Sequence, residues 1–123
     1  MDCGTIMLTE DQIAFLGSLW ESSRPVEYRR DEKRVLTEPE PYEGQEKIVN
    51  YLRHAGFMWV VRMSGGGIKC DGDFRWPTEL ADEVESKNIR LDPEFERAII
   101  GDRKRMTRLR RAMLDHGIHT WDL

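Results

Sequence analysis

The stretch FMWVVRM at residues 57–63, followed by SGGG and then IKCDGDF to residue 74, constrains this chain more than any other part of it. Its first half is aromatic and β-branched on both alternating faces, the pattern of a buried central strand. Consecutive glycines supply the positive-φ backbone that a tight turn needs. The unit therefore reads as an antiparallel hairpin of strands 57–63 and 68–74. A glycine run can also cradle a phosphate, but that chemistry needs the glycines to open a helix, where N–H groups and the helix dipole face the anion. Here they lead into a second apolar stretch, and the hairpin is the better reading.

A hairpin must bury its faces against something, and the rest of the chain supplies helices. Thr9 and Gln12 form a capping box, with Glu10 and Asp11 in the first turn, and Ile13, Phe15, Leu16, Leu19 and Trp20 make an apolar stripe. That helix runs from Glu10 to about Glu21 and stops before Pro25. Residues 44–56 read as a second helix with Ile48, Val49, Leu52 and Ala55 inward and Gly56 as its left-handed stop. Residues 76–88 read as a short third helix, with Leu80 and Val84 on one face. Asp92 and Pro93 are a strong start signal for a fourth, which ends at Gly117 and leaves a tail that can dock through Ile118 and Trp121. Residues 22–43 hold three prolines and many charges, and two readings stay open for them: an exposed hairpin, PVEYRR–DEK–RVLT, or a charged loop. The expected fold is α+β, with about four helices packed on a small antiparallel sheet. The whole chain, 1–123, is long enough for one domain with its own core.

On a helical wheel Phe95, Ile99, Met106, Leu109 and Met113 fall on one side of the last helix, and Arg97, Lys104, Arg108 and Arg111 on the other. Asp102 lands inside the apolar arc. Either it pairs locally, or the helix breaks at Gly101 and Asp102 caps a new start at Arg103. Charge is unevenly spread. Residues 97–123 carry seven Lys/Arg against three Asp, a balance of +4, while residues 1–96 carry twelve against twenty acids, a balance of −8. An acidic body opposes the approach of polyanions in general, although a local basic patch still acts within a Debye length.

Chemical motifs are few. Asp71 and Asp73 beside Cys70 resemble part of an acid pair or metal site, but turn or strand-end roles explain them more simply. His116 and His119 could share a metal with Cys70 or Asp122, yet they straddle a helix stop, and a C-terminal histidine near the negative end of a helix dipole is the plainer account. The same holds for His54. No nucleophile motif or zinc spacing occurs, so no cofactor or metal is implied and an enzyme with a scattered site ranks last. The longest apolar run, residues 56–61, is too short to span a bilayer, so no membrane role is expected. The N-terminus lacks the pattern of a secretory signal, and two cysteines, Cys3 and Cys70, make a cytoplasmic setting the default.

Four tryptophans in 123 residues suggest contact sites as well as core. Trp20 and Trp59 read as core, whereas Trp76 in DFRWP, next to Arg75, reads as a partly exposed contact patch. The composition resembles that of small acidic inhibitors encoded by phages and other mobile elements, a likeness that rests on no residue. The expected function is a non-enzymatic protein that binds and modulates another macromolecule as an inhibitor or adaptor. Its candidate contacts are the acidic segment Glu38, Glu40, Glu43 and Glu46, the basic face Arg97, Lys104, Arg108 and Arg111, and the pair Arg75 and Trp76. A protein is the expected partner. Nucleic acid through the basic helix is the alternative, as is a homo-oligomer formed by attraction between the acidic and basic parts. Helix 44–56 followed by a Gly-tipped hairpin also resembles loosely the recognition helix and wing of a winged-helix regulator, although no tight turn joins it to the preceding helix.

Overall fold

A computed structural model of the chain describes residues 8–119. Cys3, Trp121 and Asp122 lie outside the described residues. Helix α1 (Glu10–Ser22) starts as its cap dictates: the Gln12 amide donates to Thr9 Oγ1 at 3.1 Å, and the Thr9 amide donates to the Gln12 side chain at 2.9 Å. Three two-residue strands follow, β1 (Arg24–Pro25), β2 (Arg30–Asp31) and β3 (Arg34–Val35). Helix α2 (Gln45–His54) leads into strands β4 (Phe57–Val61), β5 (Gly67–Cys70) and β6 (Phe74–Pro77). Helices α3 (Leu80–Lys87), α4 (Pro93–Gly101) and α5 (Arg105–Asp115) complete the order. The fold is α+β, with five helices among the described residues rather than about four, and the difference is the break after Gly101.

The passage from α2 into β4 depends on glycine. Gly56 sits at φ +77°, and a Cβ there would come within 2.7 Å of the Cys70 carbonyl oxygen. An L side chain would meet both a backbone penalty and a clash with backbone. Only Ala55 and Gly56 therefore separate the end of the helix at His54 from the start of the strand at Phe57, with β4 already beside β5.

Two expectations about the sheet are corrected. The stretch 68–74 is not one returning strand. The Asp71 carboxylate accepts the amides of Asp73 at 2.9 Å and Phe74 at 2.7 Å, and this turns the chain back on itself. The result is a third antiparallel strand, β6, out of residues expected to begin a helix, so α3 starts at Leu80 instead of Trp76. Because β6 fills the far side of β5, the strand order is β1-β6-β5-β4. The apolar strand β4 is thus an edge strand and not a central one. Its register with β5 shifts between Met58 and Val60, leaving Trp59 as the extra residue of a bulge. The sheet is also mixed, since β1 runs parallel to β6.

Cores lie on both faces of this sheet. On one, Trp76 and Phe74 of β6 pack with Ile48 and Leu52 of α2, Val84 of α3 and Phe95 of α4. On the other, Phe57 of β4 and Cys70 of β5 pack with Leu16 of α1 and with Leu109 and Met113 of α5. The expectation that Trp59 is deeply buried is corrected: it is half-buried against the second core because the bulge puts it at the open edge. Trp76 carries that role instead. It is 1 % exposed and donates its indole N–H to the Leu52 carbonyl at 3.0 Å. Ile13 on the α1 stripe is exposed, and Ile118 is buried in the second core.

Of the two readings for residues 22–43, the hairpin is the one formed, in short compass. Strands β2 and β3 pair antiparallel around a turn in which Glu32 takes φ +59°. The flanking residues then clasp the segment before α4: Tyr28 bridges to Leu91 and Thr37 to Ile89. Among the described residues no helix is long and apolar enough to cross a membrane.

Candidate functional site

Two buried carboxylates anchor the loops that shape the surface. The Asp71 side chain is 1 % exposed. Besides the two amides of its own turn, it accepts the Tyr51 hydroxyl of α2 in a short hydrogen bond and the Arg105 Nε of α5 at 3.3 Å. Arg105 Nε also lies 3.0 Å from the Tyr51 hydroxyl, its second nitrogen meets Asp73 at 2.5 Å, and its guanidinium sits 5.3 Å from the centre of the Phe74 ring. Burial, reinforced by the Asp71 charge, pushes the Tyr51 phenol well above the ordinary tyrosine range. Every partner of this carboxylate is part of the fold, and together they tie the start of α5 and the face of α2 to the β5–β6 turn.

Glu96 does the same at the other end. Its side chain is 5 % exposed and accepts Arg90 through two nitrogens, at 2.7 and 3.2 Å, Arg29 at 3.0 Å, and the Leu91 amide at 2.8 Å. Arg90 in turn lies 4.1 Å from the centre of the Tyr42 ring, and the Tyr42 hydroxyl donates to the Ile89 carbonyl at 2.7 Å. Burial, with the Glu96 charge, pushes the Tyr42 phenol up to about 12.

On this frame the acidic segment is held in place. Glu38 is half-buried and 3.7 Å from Arg90, while Glu40, Glu43 and Glu46 are exposed and no ion pair joins them to another described residue. Tyr42, between them, is locked by the contacts above. Next to it runs an open groove of about 590 Å³, lined by Pro41, Tyr42, Glu46, Asn50, Arg53 and Glu85 among others. Arg53 is bridged there to Asp82 at 2.8 Å and Glu85 at 3.0 Å.

The basic face is divided by the break in the helix. The helix breaks at Gly101 and Asp102 pairs locally with Arg108, but the expected cap is corrected: α5 starts at Arg105 and not Arg103, with Lys104 as its N-cap, and Asp102 accepts the Lys104 amide at 3.1 Å in the turn between the helices. Its hydrogen bond with Arg108 holds the Asp102 carboxyl below the ordinary carboxylate range. Arg97 thus belongs to α4, whereas Lys104 sits at the start of α5 and Arg108 and Arg111 lie along it. All four are exposed, and no ion pair joins Arg97, Lys104 or Arg111 to another described residue.

Trp76 in DFRWP is not the partly exposed contact expected, although Asp73 and Pro77 are exposed and Arg75 is half-buried. Trp76 is buried, and Arg75 is turned under α1, where it donates to Ser23 O at 2.9 Å and stands 5.0 Å from the centre of the Trp20 ring. Strand alternation is the cause: in β6 these two side chains go to opposite faces, and both faces are covered. Cys70 is buried in the second core and His116 stacks on Phe15, with ring centres 3.6 Å apart. Among the described residues no group of three or more His, Cys, Asp or Glu is placed to hold a metal ion.

Reading the sequence alone missed Tyr51, Glu96 and Arg105. A signal for each was present. Tyr51 lies three residues after Ile48, Glu96 three before Ile99, and Arg105 four before Leu109. Each therefore falls on the inward stripe of its helix, where a polar side chain must find a partner. No family model, curated protein or solved structure matches this chain.

Proposed function

We propose that this is a cytoplasmic, non-enzymatic binding protein of inhibitor or adaptor type, which engages a basic surface of another protein through its acidic segment. The observation that carries the reading is the segment 38–46: four glutamates, no Lys or Arg, and three carboxylates that are exposed without an ion-pair partner among the described residues. Tyr42 and Glu38 tie that segment to the Glu96 hub, so its charges are presented with little ordering cost on binding. The acidic composition resembles that of small inhibitors of phages and mobile elements, and a basic groove is the kind of surface such a segment would suit.

A second reading has its own support. Arg97, Lys104 and Arg111 are exposed cations without an ion-pair partner among the described residues, and they suit contact with nucleic-acid phosphates. The winged-helix form of that reading has less support, because Arg53, one of only two Lys or Arg residues in α2, is engaged by Asp82 and Glu85.

The test compares binding of a fluorescent Lys/Arg-rich peptide and a fluorescent DNA duplex by anisotropy at low and high salt. The parent is expected to bind the peptide. Replacement of Glu40, Glu43 and Glu46 by Lys is expected to weaken that binding at least about tenfold and leave the melting temperature within a degree or two. Duplex binding that is lost in the Lys104→Glu/Arg111→Glu variant, without peptide binding, would overturn the first reading in favour of the second.

A further inference from the structure

A feature independent of the charged surfaces lies at the other end of the sheet. Among the described residues no strand pairs with the outer side of β4, and apolar side chains crowd that edge: Val61 is 72 % exposed, Met63 is fully exposed, and Val60 is exposed beside the half-buried Trp59. Natural proteins blunt such edges with charges, prolines or short strands, because an exposed row of backbone donors and acceptors is a template for another strand. In 57–63 the single charge is Arg62, and it is already engaged by Glu79.

The backbone geometry says which groups are open. Gly67, opposite Val61, turns its own backbone groups the other way, accepting the Thr78 amide at 2.9 Å and donating to Thr78 Oγ1 at 3.1 Å. Arg62, the next residue along, donates to the Gly66 carbonyl at 3.0 Å. In an antiparallel ladder the N–H and C=O of a residue point to the same side, and the side alternates along the strand. The N–H and C=O of Val61 therefore point out of the sheet edge.

We infer that this edge pairs with the β4 edge of a second copy of the chain, antiparallel about a two-fold axis at Val61. In that arrangement each Val61 N–H meets the Val61 C=O of the other copy. Val61 packs on Val61, Val60 lies opposite Arg62, and Trp59 lies opposite Met63. Each apolar residue meets an apolar one or the stem of an arginine, and no like charges oppose each other, although the chain carries a net charge of −4. Self-complementarity of this kind is what an isologous interface requires. The bulge at Trp59 and the turn after Arg62 keep the ladder short, so the dimer is weak, with a Kd in the range of about 1 μM to 1 mM.

Sedimentation of the full chain from about 0.1 μM to about 1 mM covers that range. The parent is expected to pass from monomer to dimer, and Val61→Lys to stay monomeric while melting like the dilute parent, since the side chain it replaces is exposed. A cross-link provides the second measurement. In a Cys3→Ser background, Val61→Cys is expected to form an intermolecular disulfide on mild oxidation, because residues of a hydrogen-bonded antiparallel pair lie about 5.5 Å apart at Cα, within disulfide reach. Ile100→Cys, exposed on α4, serves as the collision control. A parent that remains monomeric throughout, including one whose edge instead captures a foreign extended peptide, overturns the inference. So does a dimer that survives Val61→Lys, or equal cross-linking at residues 61 and 100.

Discussion

Replacing Asp71 with Ala removes one carboxylate and leaves four donors to rearrange. The amides of Asp73 and Phe74 lose the acceptor that shapes the β5–β6 turn, the Tyr51 hydroxyl loses the partner for its proton, and Arg105 loses its most buried counter-charge. Breaking a buried charge pair by deleting one partner costs about 3–5 kcal/mol. An orphaned buried donor adds about 1–3 kcal/mol. Arg105 keeps Asp73 at 2.5 Å and its contact with the Tyr51 oxygen at 3.0 Å, so the terms do not simply add. The expected loss is about 3–5 kcal/mol, a large share of the roughly 5–15 kcal/mol that holds a domain folded. Asp73→Ala is the internal comparison. That side chain is 70 % exposed, and its loss is expected to cost only about 0–1 kcal/mol. Urea denaturation followed by tryptophan fluorescence measures both variants beside the parent. If Asp71→Ala costs less than about 1 kcal/mol, or no more than Asp73→Ala, then Asp71 does not hold α2, α5 and the turn together.

Two further predictions concern the aromatics. Trp76→Ala is expected to cost about 3–5 kcal/mol and Trp59→Ala clearly less, because the first fills the core and the second lies at the open edge; the order of the two denaturation midpoints checks this. The chain's three tyrosines all ionise late: burial pushes Tyr42 up to about 12, the hydrogen bond to Glu83 and burial push Tyr28 up to about 12, and Tyr51 lies higher than its ordinary value for the reasons above. A raised folded-state value means the stabilisation is whole below the ordinary value of 10.0 and is lost as pH rises through about 12. Phenolate absorbance is therefore expected to stay low at pH 10 and to rise together with unfolding between pH 10 and 12, whereas half-ionised tyrosine in a still-folded protein at pH 10 would contradict it.

Local signals in this sequence were read well where the backbone obeys a local rule. The capping box at Thr9, the left-handed stop at Gly56 and the Asp92–Pro93 start all act within a few residues, and each element begins or ends where the rule puts it. The sheet was read less well, because strand order is decided by contacts far apart in the chain. An apolar run such as FMWVV suits a strand covered on both faces, and β4 is covered over its first residues: Phe57 lies in the second core and Met58 is half-buried. What it lacks among the described residues is a strand on its outer side, and hydrophobicity reports coverage of faces, not of edges. The turn at Asp71 was hidden for a related reason. CDGD carries clear turn residues, but after the longer SGGG turn they read as the fading end of a strand, and so β6 and the parallel partner β1 were not seen.

The same distinction explains what was missed at the surface. A helical wheel sorts residues into inward and outward, and for α5 it sorted the apolar side correctly. It named four basic residues on the outer side and left Arg105 unplaced. Arg105 sits four residues before Leu109 and points inward, where Asp71 and Asp73 have been waiting on the other hairpin turn. A run of six cations in residues 101–117 thus contains one that fastens the helix and one, Arg108, that is spent on Asp102. Net charge counted along the sequence overstates what this helix offers to a partner. The acidic segment and the basic face keep equal numbers of open charges within the described fold: Glu38 alone of the four glutamates is paired, and Arg108 alone of Arg97, Lys104, Arg108 and Arg111. What places the acidic segment ahead in the proposed function is that Glu38 and Tyr42 tie its charges to the Glu96 hub, whereas the open cations are divided between α4 and α5 by the break after Gly101.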